Sequence, residues 1–199
     1  MLYCFLKIFG EVFVRIFFRF KVKGLENIPH RGGVILAANH RSYLDPPLVA
    51  LRVPRRCTFL SKTVFYRNPF ASLIFKSVGV IPLRQERGAV GLIGAMRSLK
   101  KGNPLVLFPE GTRNTTSQPF LPGSPGVSLL AEGSGAPVIP VYLEGTEKAL
   151  PYRARFFRPA AIKVIYGKPL TFSGQNYKGF AQQVMAAIAE LKAGAGKPS

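Results

Sequence analysis

Residues 34–47 read VILAANHRSYLDPP. Val34–Ala38 is a short, unbroken apolar run, and Asn39, His40, Arg41 and Ser42 follow it at once. A run of that length, bounded by glycines before and polar residues after, predicts a buried strand. Pro46 is pre-set for the first turn of a helix, and the residue before a proline avoids the α region. The stretch therefore reads as strand, polar loop and helix, with Asp45 at the helix cap.

The same unit recurs along the chain. Further strands are predicted at Cys57–Ser61, Val78–Leu83, Pro104–Phe108, Val138–Leu143 and Ile162–Ile165, and helices at about 46–52, 69–76, 87–101, 124–133 and 175–192. Such alternation predicts an α/β fold: a single domain with a mostly parallel central sheet flanked by helices. The basic turn before Gly102 is a normal helix stop. Polar residues stand just after the strands: Asn39-His40, Lys62, Arg84, Pro109 to Arg113, and Glu144 to Thr146. In open α/β sheets ligands bind beyond the carboxyl ends of the strands, so these groups are expected to converge.

The 199 residues include 28 Lys and Arg against 9 Asp and Glu, a net charge of +19. A field of that sign attracts phosphate, whether in nucleic acid, anionic lipid or a small molecule. Hydrophobic residues at 47% and charged residues at 19% argue against a disordered chain and against a polytopic membrane protein. Zinc-finger spacing, an aromatic RNA-binding signature and a helix-turn-helix pattern are not evident, so no nucleic-acid partner is expected. Cys4 and Cys57 make no metal or disulfide spacing, which suits a reduced compartment.

Residues 1–22 form the next expected unit. In MLYCFLKIFGEVFVRIFFRF, Lys7, Glu11, Arg15 and Arg19 are four apart and make one drifting polar stripe on a helix; most of the remainder is Leu, Ile, Val and Phe. Four charges disfavour a spanning helix. An amphipathic, membrane-interfacial helix with Lys and Arg toward anionic lipid fits, and a helix packed on the domain's sheet is the alternative. The expected division is helix 1–22, domain 23–192 and a flexible tail 193–199.

His40 and Asp45 are five apart and separated by a loop that can fold the carboxylate onto the ring. A carboxylate on one ring nitrogen fixes the tautomer and raises the basicity of the other. Without a Gly-x-Ser-x-Gly elbow, the hydroxyl such a base would deprotonate belongs to a substrate. Taken alone, the pair reads more readily as a capping aspartate beside an incidental histidine. No third ligand cluster suggests a metal. Gly111 permits a tight turn, and Arg113 is a forked cation suited to phosphate. The Arg153, Arg155 and Arg158 stretch, interleaved with Phe156 and Phe157, reads either as a solvated basic loop or as a second membrane contact.

In order along the chain stand Asn39-His40 with Asp45-Pro46, then Gly79 to Arg84 (GVIPLR), Phe108 to Arg113 (FPEGTR) and Val138 to Val141 (VIPV). This set closely resembles the 1-acylglycerol-3-phosphate acyltransferase family of bacterial phospholipid synthesis, over roughly residues 24–170. The resemblance implies that His40 is a general base oriented by Asp45. It also implies that Lys62, Arg84, Glu110, Gly111, Thr112 and Arg113 bind the acyl acceptor, the arginines on phosphate. Leu83 stands where the family usually carries an acidic or polar residue. The family takes its acyl group from acyl-CoA or acyl carrier protein, without metal or redox cofactor. It works at the cytoplasmic face of the membrane, with an anionic surface and a lysophospholipid as partners. Glycerol phosphate, another lysophospholipid or a lyso-aminolipid are alternative acceptors, and a non-enzymatic binder of anionic lipid or nucleic acid is the alternative that the charge alone suggests.

Overall fold

The computed structural model describes residues 2–62, 80–83 and 88–195. The helix expected at 69–76, the start of the strand expected from Val78, Arg84 and the last four residues of the tail lie outside them.

The apolar runs become strands β2 (Val34–Ala38), β3 (Thr58–Lys62), β4 (Val80–Leu83), β5 (Pro104–Leu107), β6 (Val138–Glu144) and β7 (Ala160–Tyr166), with β1 (Phe18–Lys23) added at the edge. Among the described residues the sheet has seven strands, in the order β1-β7-β6-β2-β5-β3-β4. β2 lies at its centre, with Ile35 opposite Leu105 of β5 on one side and Val138 of β6 on the other, both pairings parallel. Among the described strands only β6 and β7 pair antiparallel. Strands β2 to β6 thus share one direction, and β1 and β7 run against them.

Every residue of β2 is buried because both faces of the sheet are covered. Val34, Leu36 and Ala38 face the side covered by α1 (Leu2–Phe17) and α2 (Asp45–Leu51), where Val14, Leu48 and Val49 pack. Ile35 and Ala37 face the other side. There α3 (Gly88–Lys100), α4 (Gly126–Ser134) and α6 (Tyr177–Ala195) bring Leu99, Leu130 and Val184. A short helix, α5 (Thr146–Ala149), follows β6.

Two expectations are corrected at the amino end. The helix stops at Phe17 rather than continuing to residue 22, and Phe18–Lys23 forms a strand beside β7. In FRFKVK, Phe18, Phe20 and Val22 turn inward while Arg19, Lys21 and Lys23 are exposed, a period of two. The outward cations guard the sheet edge against pairing with another chain.

Part of the polar stripe also points the other way from the expected one, toward the domain, while Arg15 and Arg19 stay exposed. Lys7 Nζ donates to the Val53 carbonyl at 2.6 Å, and Glu11 accepts from Arg52 at 2.7 Å and from Arg15 at 3.0 Å. Lys7 and Glu11 hold the helix to the domain. Phe5, Ile8, Phe9, Val12, Ile16 and Phe17 are left exposed, Ile16 at 70%. No described helix is long and apolar enough to cross a membrane.

Candidate active site

β2 delivers His40 to the carboxyl end of the sheet, and the loop after it turns back on itself. Asp45 is the first residue of α2, not its cap, and it is fully buried. Its Oδ2 accepts from the Arg41 amide at 2.6 Å, the Ser42 amide at 2.7 Å and His40 Nδ1 at 2.8 Å. A buried carboxylate demands such donors, and the two amides hold it in place for the imidazole. With Nδ1–H donating to the carboxylate, Nε2 is the basic nitrogen. The ring stacks on Phe108 at 4.0 Å between centroids, 22° from parallel.

The backbone of His40 is gripped from the loop that follows β5. Its amide donates to Glu110 Oε1 at 2.9 Å, and its carbonyl accepts from the Asn114 amide at 2.7 Å. Glu110 Oε2 accepts from the Leu121 amide, also at 2.9 Å. Both oxygens of Glu110 thus serve backbone amides in this structure. Burial raises its carboxyl above the ordinary value, and the His40 and Leu121 amides pull it down again only in part.

Gly111 takes a left-handed φ of +68°, and a Cβ there would meet nothing within 4 Å, so the turn needs glycine for its conformation rather than for space. Beyond it, exposed Thr112 leads to Arg113, whose guanidinium lies 3.5 Å over the Tyr43 ring and 5.4 Å from that of Tyr152. Tyr43 belongs to the loop between His40 and Asp45, so the two motifs meet through this contact as well as through Glu110. Lys62 ends β3 beside Leu83 of β4, at the carboxyl end of the sheet. Arg84, one residue further on, lies outside the described residues.

Several supporting side chains carried no assigned role from sequence. Arg41 donates to the carbonyls of Thr116 and Gln118, and Asn39 exchanges two hydrogen bonds with the backbone of Leu143 on β6. Asn114 is buried, with its side-chain amide donating to the Gln118 carbonyl. Phe108, Tyr43 and Tyr152 complete the set. Among the described residues no three of His, Cys, Asp or Glu are grouped to hold a metal ion.

A histidine–aspartate pair in a loop after a central parallel strand, faced by a glycine turn and an arginine, defines a class. A family model described as Acyltransferase matches residues 19–144, and the chain belongs to that family. Its relatives carry the name that the sequence motifs suggest. The chain is 30% identical over 169 residues to a chloroplast 1-acyl-sn-glycerol-3-phosphate acyltransferase of Brassica napus, covering 82% of this chain and 48% of that one. The Bacillus subtilis enzyme of the same name is 24% identical, covering 75% and 73%. The crystal structure of the 1-acyl-sn-glycerophosphate acyltransferase PlsC from Thermotoga maritima superposes with a TM-score of 0.82 at 26% identity. That match covers 97% of this chain and 79% of the other. The chain spans about half the length of the chloroplast relatives it matches.

Proposed function

We propose that the chain is an O-acyltransferase that moves a fatty acyl group from a thioester donor to the free hydroxyl of 1-acylglycerol-3-phosphate, forming phosphatidic acid. The carrying observation is the 2.8 Å contact of His40 Nδ1 with buried Asp45. Nε2 takes the proton of the acceptor hydroxyl as its oxygen attacks the thioester carbonyl. The tetrahedral intermediate collapses with loss of the C–S bond, and the protonated imidazole returns its proton to the departing thiolate. Asp45 holds the ring and stabilises the imidazolium, as in a serine-hydrolase triad with the enzyme serine replaced by the substrate's hydroxyl. Arg113, with Lys62 and Arg84, takes the acceptor phosphate; Gly111 and Thr112 shape the turn beside it. The donor is acyl-CoA or acyl carrier protein.

An acceptor that is itself a lipid places the enzyme on a membrane. The exposed apolar face of α1 suits insertion at the headgroup boundary, and the excess of cations suits an anionic leaflet. The cytoplasmic face of the cell membrane is the setting that follows.

The test is an acceptor panel: lysophosphatidate, glycerol phosphate and other lysophospholipids, each with labelled acyl-CoA and acyl carrier protein, read by lipid mass spectrometry. Lysophosphatidate should give the dominant product. His40→Ala should lower turnover by about 10²-fold or more with the fold retained, although Asp45 loses one of its three donors. Near-normal turnover in that variant would remove the base from His40.

A further inference from the structure

β1 and β7 run against β2 to β6, so their first residues, Phe18 and Ala160, lie at the same end of the sheet as the His40 loop. The segment that enters β7 is the loop 150–159. The Arg158 amide donates to the Ala149 carbonyl at 2.8 Å and closes its base. Arg153, at its tip, has a φ of +64° and is the only non-glycine with positive φ among the described residues. A non-glycine in the left-handed region is held against its steric preference, so the loop is a shaped element rather than a slack connection.

This loop displays two aromatic rings outward. Phe156 is 81% exposed and Phe157 46%. Phe157 meets α1 edge-on, 5.2 Å from Phe13, and lies 6.5 Å from Phe18. The exposed face of α1 ends nearby at Ile16 and Phe17, and a groove between the two elements is lined by Arg15, Phe17, Arg19, Pro159 and Ala161. Arg153, Arg155 and Arg158 interleave with the aromatics. Apolar side chains standing among arginines match a phospholipid surface, whose acyl boundary takes the rings and whose phosphates take the guanidinium groups. At its other end the loop carries Tyr152 to within 5.4 Å of the Arg113 guanidinium.

We propose that the loop 150–159 is a second membrane-docking element. With the carboxyl-terminal half of α1 it forms one continuous insertion face for an anionic phospholipid bilayer. This rests on the docking of α1 proposed above and adds the point that orients the molecule. An amphipathic helix inserted by its apolar face is fixed in roll but leaves the molecule free to tilt about one end of the helix. A second anchor beside its carboxyl-terminal end limits that tilt and holds the His40 end of the sheet toward the surface. Tyr152 then connects the inserted loop to the arginine assigned to the acceptor phosphate.

The chain has no tryptophan, so a single introduced one reports alone. Phe156→Trp, Phe9→Trp on α1 and Leu129→Trp on α4, across the sheet, are each mixed with phosphatidylglycerol vesicles containing brominated acyl chains. The proposal expects blue-shifted, quenched emission at positions 156 and 9, none at 129, and loss of the shift at 156 when Arg155 and Arg158 are changed to Gln. Quenching at 9 without quenching at 156 overturns the loop and leaves α1 docking intact. Quenching at neither overturns both. Equal quenching at all three marks adsorption without orientation, which also defeats the proposal.

Discussion

Glu110 illustrates how much of this site is held by one carboxylate. Its two oxygens take the amides of His40 and Leu121, so it ties the end of β2 to the loop after β5. Because burial raises its carboxyl, folding favours the protonated form. The resulting stability is fully present below the unfolded value near pH 4.3 and is lost as pH rises through the higher folded value. Glu110→Gln does not titrate, and its amide nitrogen cannot accept from the second backbone N–H. Leaving that donor unpaired should cost about 1–3 kcal/mol. Denaturant unfolding of both proteins from pH 4 upward should show the wild type's advantage shrinking through that window and then levelling off. An advantage that is flat with pH would place the carboxyl at its ordinary value.

At the scale of elements, the turn from β1 into the domain makes the sharpest demand. Gly24 has a φ of +79°, and a Cβ there would collide with the Tyr166 carbonyl at the end of β7. Gly32 has nearly the same φ, +78°, with nothing within 4 Å of a Cβ. Replacing Gly32 by Ala therefore adds only backbone strain, about 1–2 kcal/mol. Gly24→Ala adds the collision and must also push β7 aside. Its melting temperature should fall below that of Gly32→Ala, by about 2–4 °C for each further kcal/mol lost. Equal losses would mean that the collision is relieved at no cost.

The elements differ in how far the sequence betrayed them. β2, β5 and β6 were legible because a strand buried on both faces is an unbroken apolar run. β1 was not, although FRFKVK alternates, because the four-residue spacing of charges carried on through Arg19 and mimicked a longer helix. The His40–Asp45 contact was legible only as an option, because a loop of four residues can fold the carboxylate onto the ring; the ordered set of motifs, not the pair itself, gave it weight. The grip on His40 left no such trace, since its bonds run from backbone amides to a carboxylate 70 residues away. Tyr43 and Tyr152 escaped for a related reason: an arginine chooses its rings in space, and nothing in their spacing records it.

For the whole molecule, the question is what the net charge of +19 and the outward face of α1 do together. Charge would draw the protein toward an anionic surface from a distance, but it is screened over about 10 Å at 0.1 M salt and about 3 Å at 1 M. Apolar insertion is short-ranged and indifferent to salt. The two contributions therefore separate in a sedimentation assay with phosphatidylglycerol vesicles at 0.1 M and 1 M. Ile8, 67% exposed on α1, carries only the second. Ile8→Asp removes an apolar side chain worth about 1.5–3 kcal/mol when buried, and places a carboxylate against anionic lipid. Binding should weaken by about tenfold or more at both salt concentrations, since 1.4 kcal/mol is a factor of ten. Stability should change by no more than about 0.5 kcal/mol, because the side chain contacts water in the free protein. If instead the variant binds as well as the wild type at 0.1 M, and both are released at 1 M, then charge alone holds the protein to the vesicles and the apolar face of α1 is turned toward something else.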